Sequence, residues 1–174
     1  SRGNVIAPDD QIERWGADTF RAYLMFLGPW DQGGPYDPSG ISGVHRWLNR
    51  AWNAVTGGVP TGKQPDAPGT RELRRHTHQT VRKVTEDIAD FHFNTSIAAL
   101  MELTNHLTRL RESGETVDAA AWQEAASSLA LLMAPLTPHI AEEMWERLGG
   151  AYSVHTQPWP AWDAALAAED EVEV

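Results

Sequence analysis

The 174-residue sequence contains no cysteine. Without a thiol the chain forms no disulfide and offers no thiolate ligand to a metal ion, and such a composition fits a reducing compartment. The sequence also lacks a run of about 18 apolar residues, the length that a membrane-spanning helix needs. Its first residues do not have the basic, apolar and small-residue layout of a secretory signal. We therefore expect a cytoplasmic protein without a membrane partner.

Histidine patterns typical of metal sites are missing as well. Seven histidines are present, but His76 and His78 are only two residues apart, so on a helix they point in different directions. A di-iron site in a helical bundle uses Glu-x-x-His pairs, and the sequence contains none. The sequence thus predicts that the chain has no metal site.

Positive charge is scarce overall, but it is concentrated in one segment. The net charge is −10, which is unusual for a protein that binds nucleic acid. Residues 42–83 nevertheless carry eight basic and two acidic side chains, a net +6, whereas residues 112–174 carry twelve acidic side chains and one arginine, a net −11. A chain with this segregation can still present one basic face to phosphate groups.

A helical pattern runs along nearly the whole chain. Apolar residues recur at intervals of three and four, and two segments rich in glycine and proline, 28–40 and 56–69, interrupt them as loops. Thr137 and Pro138 suit the cap and first turn of a late helix. The pattern predicts an all-α helical bundle preceded by a short loop-helix element. In the second helix the positions predicted to face the core are Ala17, Phe20, Leu24 and Leu27.

Six segments of the chain are informative together. In order, they are RWGADTFRAYLMFLGPWDQ, GVHRWLNRAWN, LRRHTHQTVRKVTEDI, FNTSIAALMELTN, MAPLTPHIAEEMWERLGG and SVHTQPWP. They resemble bacterial leucyl-tRNA synthetases, a family of class I aminoacyl-tRNA synthetases. The opening SRGN also resembles the end of that class's Lys-Met-Ser-Lys-Ser loop and the residues after it. Because the preceding Lys-Met-Ser-Lys is absent, we expect the chain to be a fragment that begins inside this loop.

The resemblance implies a domain and not a complete enzyme. The parent protein would use ATP and Mg²⁺ to attach leucine to tRNA(Leu), while this fragment would contain no complete catalytic site, bind no cofactor and be inactive alone. Residues 1–36 would form the end of the signature loop and the stem-contact connection, 37–162 the helical anticodon-binding domain, and 163–174 an acidic tail. The implied partners are tRNA(Leu) and the catalytic domain of the same parent chain, within a monomer.

The resemblance also implies site residues. Those that remain of the ATP loop are Ser1, Arg2, Gly3 and Asn4, where glycine permits a bend. On the helix predicted from about residue 41, Arg46 and Arg50 lie four residues apart and match arginines that bind tRNA in the leucyl family. The other predicted tRNA-binding residues are Arg71, Arg74, Arg75, Arg82 and Lys83, which lie on one helix.

Other interpretations remain open at this point. Any single arginine of the later helix is as easily a solvated surface residue, and Lys83 suits an ion pair with Asp87 on the helix surface. Most of the eight tryptophans suit core packing, whereas Trp30 lies in a loop and could stack on an RNA base. There are two alternative functions. The chain could be the same domain of an isoleucyl- or valyl-tRNA synthetase, or it could be a helical protein-interaction module. Binding to tRNA that weakens steeply with salt would favour the synthetase interpretation.

Overall fold

The computed structural model describes residues 7–32, 36–58 and 61–168, and within them the fold is α-helical, as predicted. Seven helices of eight or more residues are followed by one short helix. Their bounds are α1 Pro8–Trp15, α2 Ala17–Phe26, α3 Ile41–Thr56, α4 Pro68–Ala89, α5 Phe93–Ser113, α6 Ala119–Met133, α7 Pro138–Arg147 and α8 Ala164–Ala167. The predicted loop residues Ser1, Arg2, Gly3 and Asn4 lie outside the described residues.

The core lies where α4, α5 and α6 pack on one another and where α3 packs on α5. The apolar side chains that recur at the helical period on α4, α5 and α6 are mostly buried. The largest fully buried side chains include Trp47, Leu73, Leu100, Leu103, Leu107, Leu129, Leu132 and Met133. None of the described helices combines the length and the apolar character that crossing a membrane requires.

A very short parallel strand pair was not predicted from the sequence. Strand β1, Thr61–Gly62, pairs with β2, Val117–Asp118, and thereby ties the segment before α4 to the segment before α6. The hydroxyl of Thr70 accepts a 3.0 Å hydrogen bond from the backbone N–H of Asp118. Two residues per strand are too few to leave an alternating apolar pattern in a sequence.

The predicted core face of α2 is partly wrong. Leu24, assigned inward by its spacing, is 39% exposed, whereas Thr19, Ala22 and Tyr23 are buried. Polar contacts favour this rotation of the helix. Buried Asp18 reaches the start of α7, and the Tyr23 hydroxyl donates to the backbone carbonyl of Asp37.

The predicted cap of α7 differs from the observed one. Thr137 occupies the cap position, but its hydroxyl donates to the carbonyl of Met133 instead of accepting from the first turn. The carboxylate of Asp18, on α2, accepts from the backbone N–H of Ile140 at 2.7 Å and lies 2.9 Å from His139 Nδ1. A side chain distant in sequence therefore satisfies the helix terminus.

The segment after α7 packs on α4. Trp159 Nε1 donates to the Thr85 hydroxyl at 2.8 Å, and the backbone N–H of Asp163 donates to His78 Nδ1 at 3.0 Å. Gln79 adds a 3.0 Å hydrogen bond to the carbonyl of Ala167, in α8. Residues 163–168 of the predicted acidic tail thus include a docked helical turn, while residues 169–174 lie outside the described residues.

Candidate nucleic-acid interface

Helix α3 holds Arg46 and Arg50 on its outer side. The neighbouring Trp47 is fully buried, and its indole N–H donates to the Thr104 hydroxyl of α5 at 3.1 Å. Leu48 is buried as well, so the helix cannot rotate without removing both residues from the core. Arg46 is exposed and Arg50 is half-buried. Within the described part of the chain, neither guanidinium makes a hydrogen bond or an ion pair with protein.

The basic residues of α4 differ from one another in their partners. Arg71 donates to the backbone carbonyl of Asp66, and an Arg74 nitrogen lies 3.6 Å from the carboxylate of Asp118. Arg75 also interacts with protein. Exposed Arg82 forms no such bond to any described residue.

Lys83 forms the pair with Asp87 that its spacing allows. The ammonium nitrogen is 2.6 Å from Asp87 Oδ1, and Asp87 itself is only 5% exposed. The other carboxylate oxygen, Oδ2, is buried without a hydrogen-bond partner among the described residues. Because Lys83 is the closest positive charge that this carboxylate has, losing the lysine would leave a buried charge poorly compensated.

The basic side chains of α4 line two separate grooves. Arg71, Arg74 and Arg75 lie in a groove whose opposite wall is the C-terminal segment 165–168. Arg82 and Lys83 lie in a second groove, against α5. The basic residues predicted on this one helix therefore line two grooves and not one surface, since α8 and α5 both pack on α4.

Two tryptophans, Trp30 and Trp15, differ in exposure, since Trp15 is half-buried. Trp30 is 56% exposed and makes an edge contact, 5.5 Å between ring centres, with Phe93. Trp15 makes a similar edge contact with His45 of α3, and the guanidinium of Arg14 lies 5.0 Å from its ring centre. Trp30 therefore offers the more accessible surface on which an unpaired base can stack.

One cluster escaped the sequence analysis: Glu72 and His76 on α4 and His106 on α5. Glu72 Oε1 lies 3.7 Å from His76 Nε2 and 4.0 Å from His106 Nδ1. His106 is buried, and this burial, together with the neighbouring His76, lowers the pKa of His106 to about 4. The i,i+4 spacing of Glu72 and His76 was a usable signal, but the third member is 30 residues further along.

The comparisons with known proteins agree on one type of domain. The family model described as the anticodon-binding domain of tRNA ligase matches residues 70–174. Leucine–tRNA ligases of Rubrobacter xylanophilus and of Dehalococcoides mccartyi strain BAV1 are 54% and 51% identical to the chain. Each alignment covers 99% of this chain but only 20% and 21% of those proteins. The chain thus spans about a fifth of their length.

The three-dimensional comparison gives the same result. The LeuRS of Agrobacterium radiobacter K84, solved in a ternary complex with tRNA and LeuAMS, matches with a TM-score of 0.79 and 28% sequence identity. The match covers 97% of this chain and 22% of that one.

Proposed function

The chain belongs to the anticodon-binding domains of tRNA ligases, and from that premise we propose that it binds tRNA(Leu) within a leucine–tRNA ligase. In the parent protein, ATP and Mg²⁺ would support attachment of leucine. The residues that would belong to the ATP loop, Ser1–Asn4, lie outside the described residues. The similarity to leucine–tRNA ligases favours leucine over the isoleucine and valine alternatives, and the matching family favours RNA binding over a protein-interaction module.

The observation that carries the proposal is the pair Arg46 and Arg50. Both side chains are held on the outer side of a helix whose inner side is fixed by buried Trp47 and Leu48. They lie one helical turn apart, about 6 Å along the axis. Their guanidinium groups are free of described protein partners, so binding a phosphate group breaks no contact within the chain. Arginine suits this role because its planar group donates two parallel hydrogen bonds to phosphate oxygens.

The remaining predicted residues fall into three groups, according to their partners within the chain. Arg82 is as unengaged as the α3 pair and is proposed as a direct phosphate contact. Arg71 and Arg74 must loosen or share an existing contact, so we propose for them and for Arg75 a supporting electrostatic role. Lys83 is assigned chiefly to Asp87. Contacts of this kind position a tRNA without reading its sequence.

The test is the double variant Arg46→Ala/Arg50→Ala in the complete ligase. A hydrogen bond to a charged group contributes roughly 1.5–3 kcal/mol, and about 1.4 kcal/mol corresponds to tenfold. Transfer of leucine to tRNA should therefore fall on the order of a hundredfold if the two losses add. Leucine activation by ATP, measured without tRNA, should not change.

A matched control removes two other arginines. Arg14 and Arg147 lie outside residues 42–83, the basic segment, and each contacts a tryptophan ring, Trp15 and Trp52 respectively, so Arg14→Ala/Arg147→Ala removes the same charge. This control should transfer leucine nearly as well as the wild type. The proposal fails if the Arg46/Arg50 variant charges tRNA normally. A parallel loss of leucine activation would instead make these arginines structural.

A further inference from the structure

We propose that Glu72, His76 and His106 form a binding site for a divalent transition metal, with Zn²⁺ as the best-suited ion. The site joins α4 to α5 near the outer surface of the bundle. It is independent of the RNA-binding proposal, since it uses none of the arginines assigned there to phosphate contacts.

The donor set fits zinc in type and number. Two imidazole nitrogens and one carboxylate oxygen are a ligand combination that zinc sites use when a fourth position is left for water. Imidazole donors favour zinc, copper and nickel over magnesium and calcium. The carboxylate and the first histidine lie one turn apart on α4, so a single helix face delivers both.

The donor spacing is close to that of a zinc site, but the ring of His76 must turn before it can bind the same ion as His106, because the two rings are stacked with centres 4.4 Å apart and planes at 31°. One donor atom from each of the three residues can be chosen so that all lie within 4.8 Å of one another. Zinc–ligand distances of about 2.0–2.2 Å place tetrahedral ligands about 3.4 Å apart. The observed separations from Glu72 Oε1, 3.7 Å and 4.0 Å, are close to that value. Glu72 and His76 are accessible enough to close the gap.

The buried histidine supplies an independent observation. His106 is 4% exposed, and its Nε2 has no hydrogen-bond partner among the described residues. Its Nδ1 has only a long 3.4 Å contact with an Arg109 nitrogen. A buried imidazole normally satisfies its nitrogens, but within the described residues neither nitrogen of this ring makes a short hydrogen bond. The nitrogen that faces Glu72 is Nδ1. Binding a metal through Nδ1 would use its lone pair and leave the proton on Nε2, which has no described partner.

Neighbouring charges determine how tightly the site is expected to bind a metal ion. Arg75 and Arg109 both lie near enough to His106 to act on it electrostatically. They oppose a cation, and Arg109 must turn away from Nδ1 before a metal can bind. Only one carboxylate offsets them. We therefore expect reversible binding that is weaker than that of a structural zinc site with four protein ligands.

The experiment titrates the full chain with Zn²⁺ against a chromophoric chelator, without RNA, and repeats the titration with Co²⁺ to record the visible spectrum. We expect one ion per chain and a cobalt spectrum typical of four-coordination. Glu72→Gln and His76→Ala change accessible side chains, so both variants should fold, and each should weaken binding more than tenfold. His106→Gln should do the same if it folds.

The matched control is His155→Ala. His155 Nε2 lies 3.7 Å from a carboxylate oxygen of Glu142, so it is also a histidine–carboxylate pair, but no described third donor completes it. This variant should bind Zn²⁺ like the wild type. Two outcomes would overturn the proposal. One is the absence of saturable binding by the wild type, and the other is unchanged affinity in both Glu72→Gln and His76→Ala.

Discussion

At the scale of single residues, the basic side chains of residues 42–83 differ in whether a group of the protein already binds them. Arg46, Arg50 and Arg82 are unengaged within the described chain, whereas Arg74 faces Asp118 and Lys83 faces Asp87. The residue types and their helical spacing were readable from the sequence. The partner of Lys83 was predicted from its spacing to Asp87. The partner of Arg74 was not, because Asp118 lies in β2 and is distant in sequence.

The buried His106 predicts a pH dependence of stability. Its pKa is about 4 in the folded chain and about 6.5 when unfolded. Between these values the unfolded state binds the proton more readily, so the free energy of unfolding should fall as pH decreases from 6.5 to 4. The charged or titratable groups that face this ring are Glu72, Arg75 and His76 on α4 and Arg109 on α5.

The measurement compares the wild type with His106→Gln by chemical denaturation at several pH values, with a chelator present. The free energy of unfolding of the wild type should exceed that of the variant most above pH 6.5, and this difference should shrink steadily towards pH 4. Other titrating groups contribute to both proteins and largely cancel in the difference. A difference that stays constant over this range would mean that His106 does not titrate abnormally.

At the scale of the elements, Asp18 connects α2 to the start of α7. Removing its carboxylate by Asp18→Ala leaves the Ile140 N–H without its 2.7 Å acceptor. Loss of a helix cap typically costs about 0.5–2 kcal/mol, and the burial of Asp18 places the expected loss of unfolding free energy near the upper end, about 2 kcal/mol. Denaturant unfolding of the variant should show a lower midpoint with an unchanged slope.

A companion variant separates the cap from the histidine contact. His139 is largely exposed, although its Nδ1 lies 2.9 Å from the same carboxylate. His139→Ala should therefore change the free energy of unfolding by no more than about 0.5 kcal/mol. If the two substitutions destabilise the chain equally, the contact with His139 and not the cap is the main contribution of Asp18.

The helices themselves were predictable because their apolar period is regular and their ends carry proline or glycine. Gly114, for example, ends α5 with a φ of 69°, a backbone conformation that glycine adopts without strain. The features that could not be predicted from the sequence depend on contacts between segments that are distant along the chain. Leu24 is exposed because Asp18 and Tyr23 fix the rotation of α2, and His106 meets Glu72 only once α5 has packed on α4.

At the scale of the whole molecule, the segregation of charge reconciles a net charge of −10 with the proposed binding to RNA. Residues 42–83 carry +6 and residues 112–174 carry −11. Screening limits the interaction between exposed charges to about 8–10 Å at ordinary ionic strength. A phosphate close to Arg46 and Arg50 is therefore influenced mainly by nearby charges, and acidic residues further than this contribute little.

Because nearby charges dominate at Arg46 and Arg50, these two residues should determine part of the salt dependence of tRNA(Leu) binding. Each phosphate contact releases counterions and contributes roughly 0.7–0.9 to the slope of log affinity against log salt concentration. Replacing Arg46 and Arg50 by alanine should thus reduce the slope by about 1–2. The measurement is equilibrium binding of tRNA(Leu) to the complete ligase from about 50 to 200 mM salt.

The decisive comparison is with Arg14→Ala/Arg147→Ala, which changes the net charge by the same amount. Since Arg14 and Arg147 lie outside the basic segment, this variant should keep the wild-type slope within error. Equal reductions in both variants would show that tRNA responds to the total charge of the protein and not to contacts at α3. An unchanged slope in the Arg46/Arg50 variant would remove these two side chains from the interface, and the phosphate contacts would then have to lie on α4, with Arg82 as the first candidate.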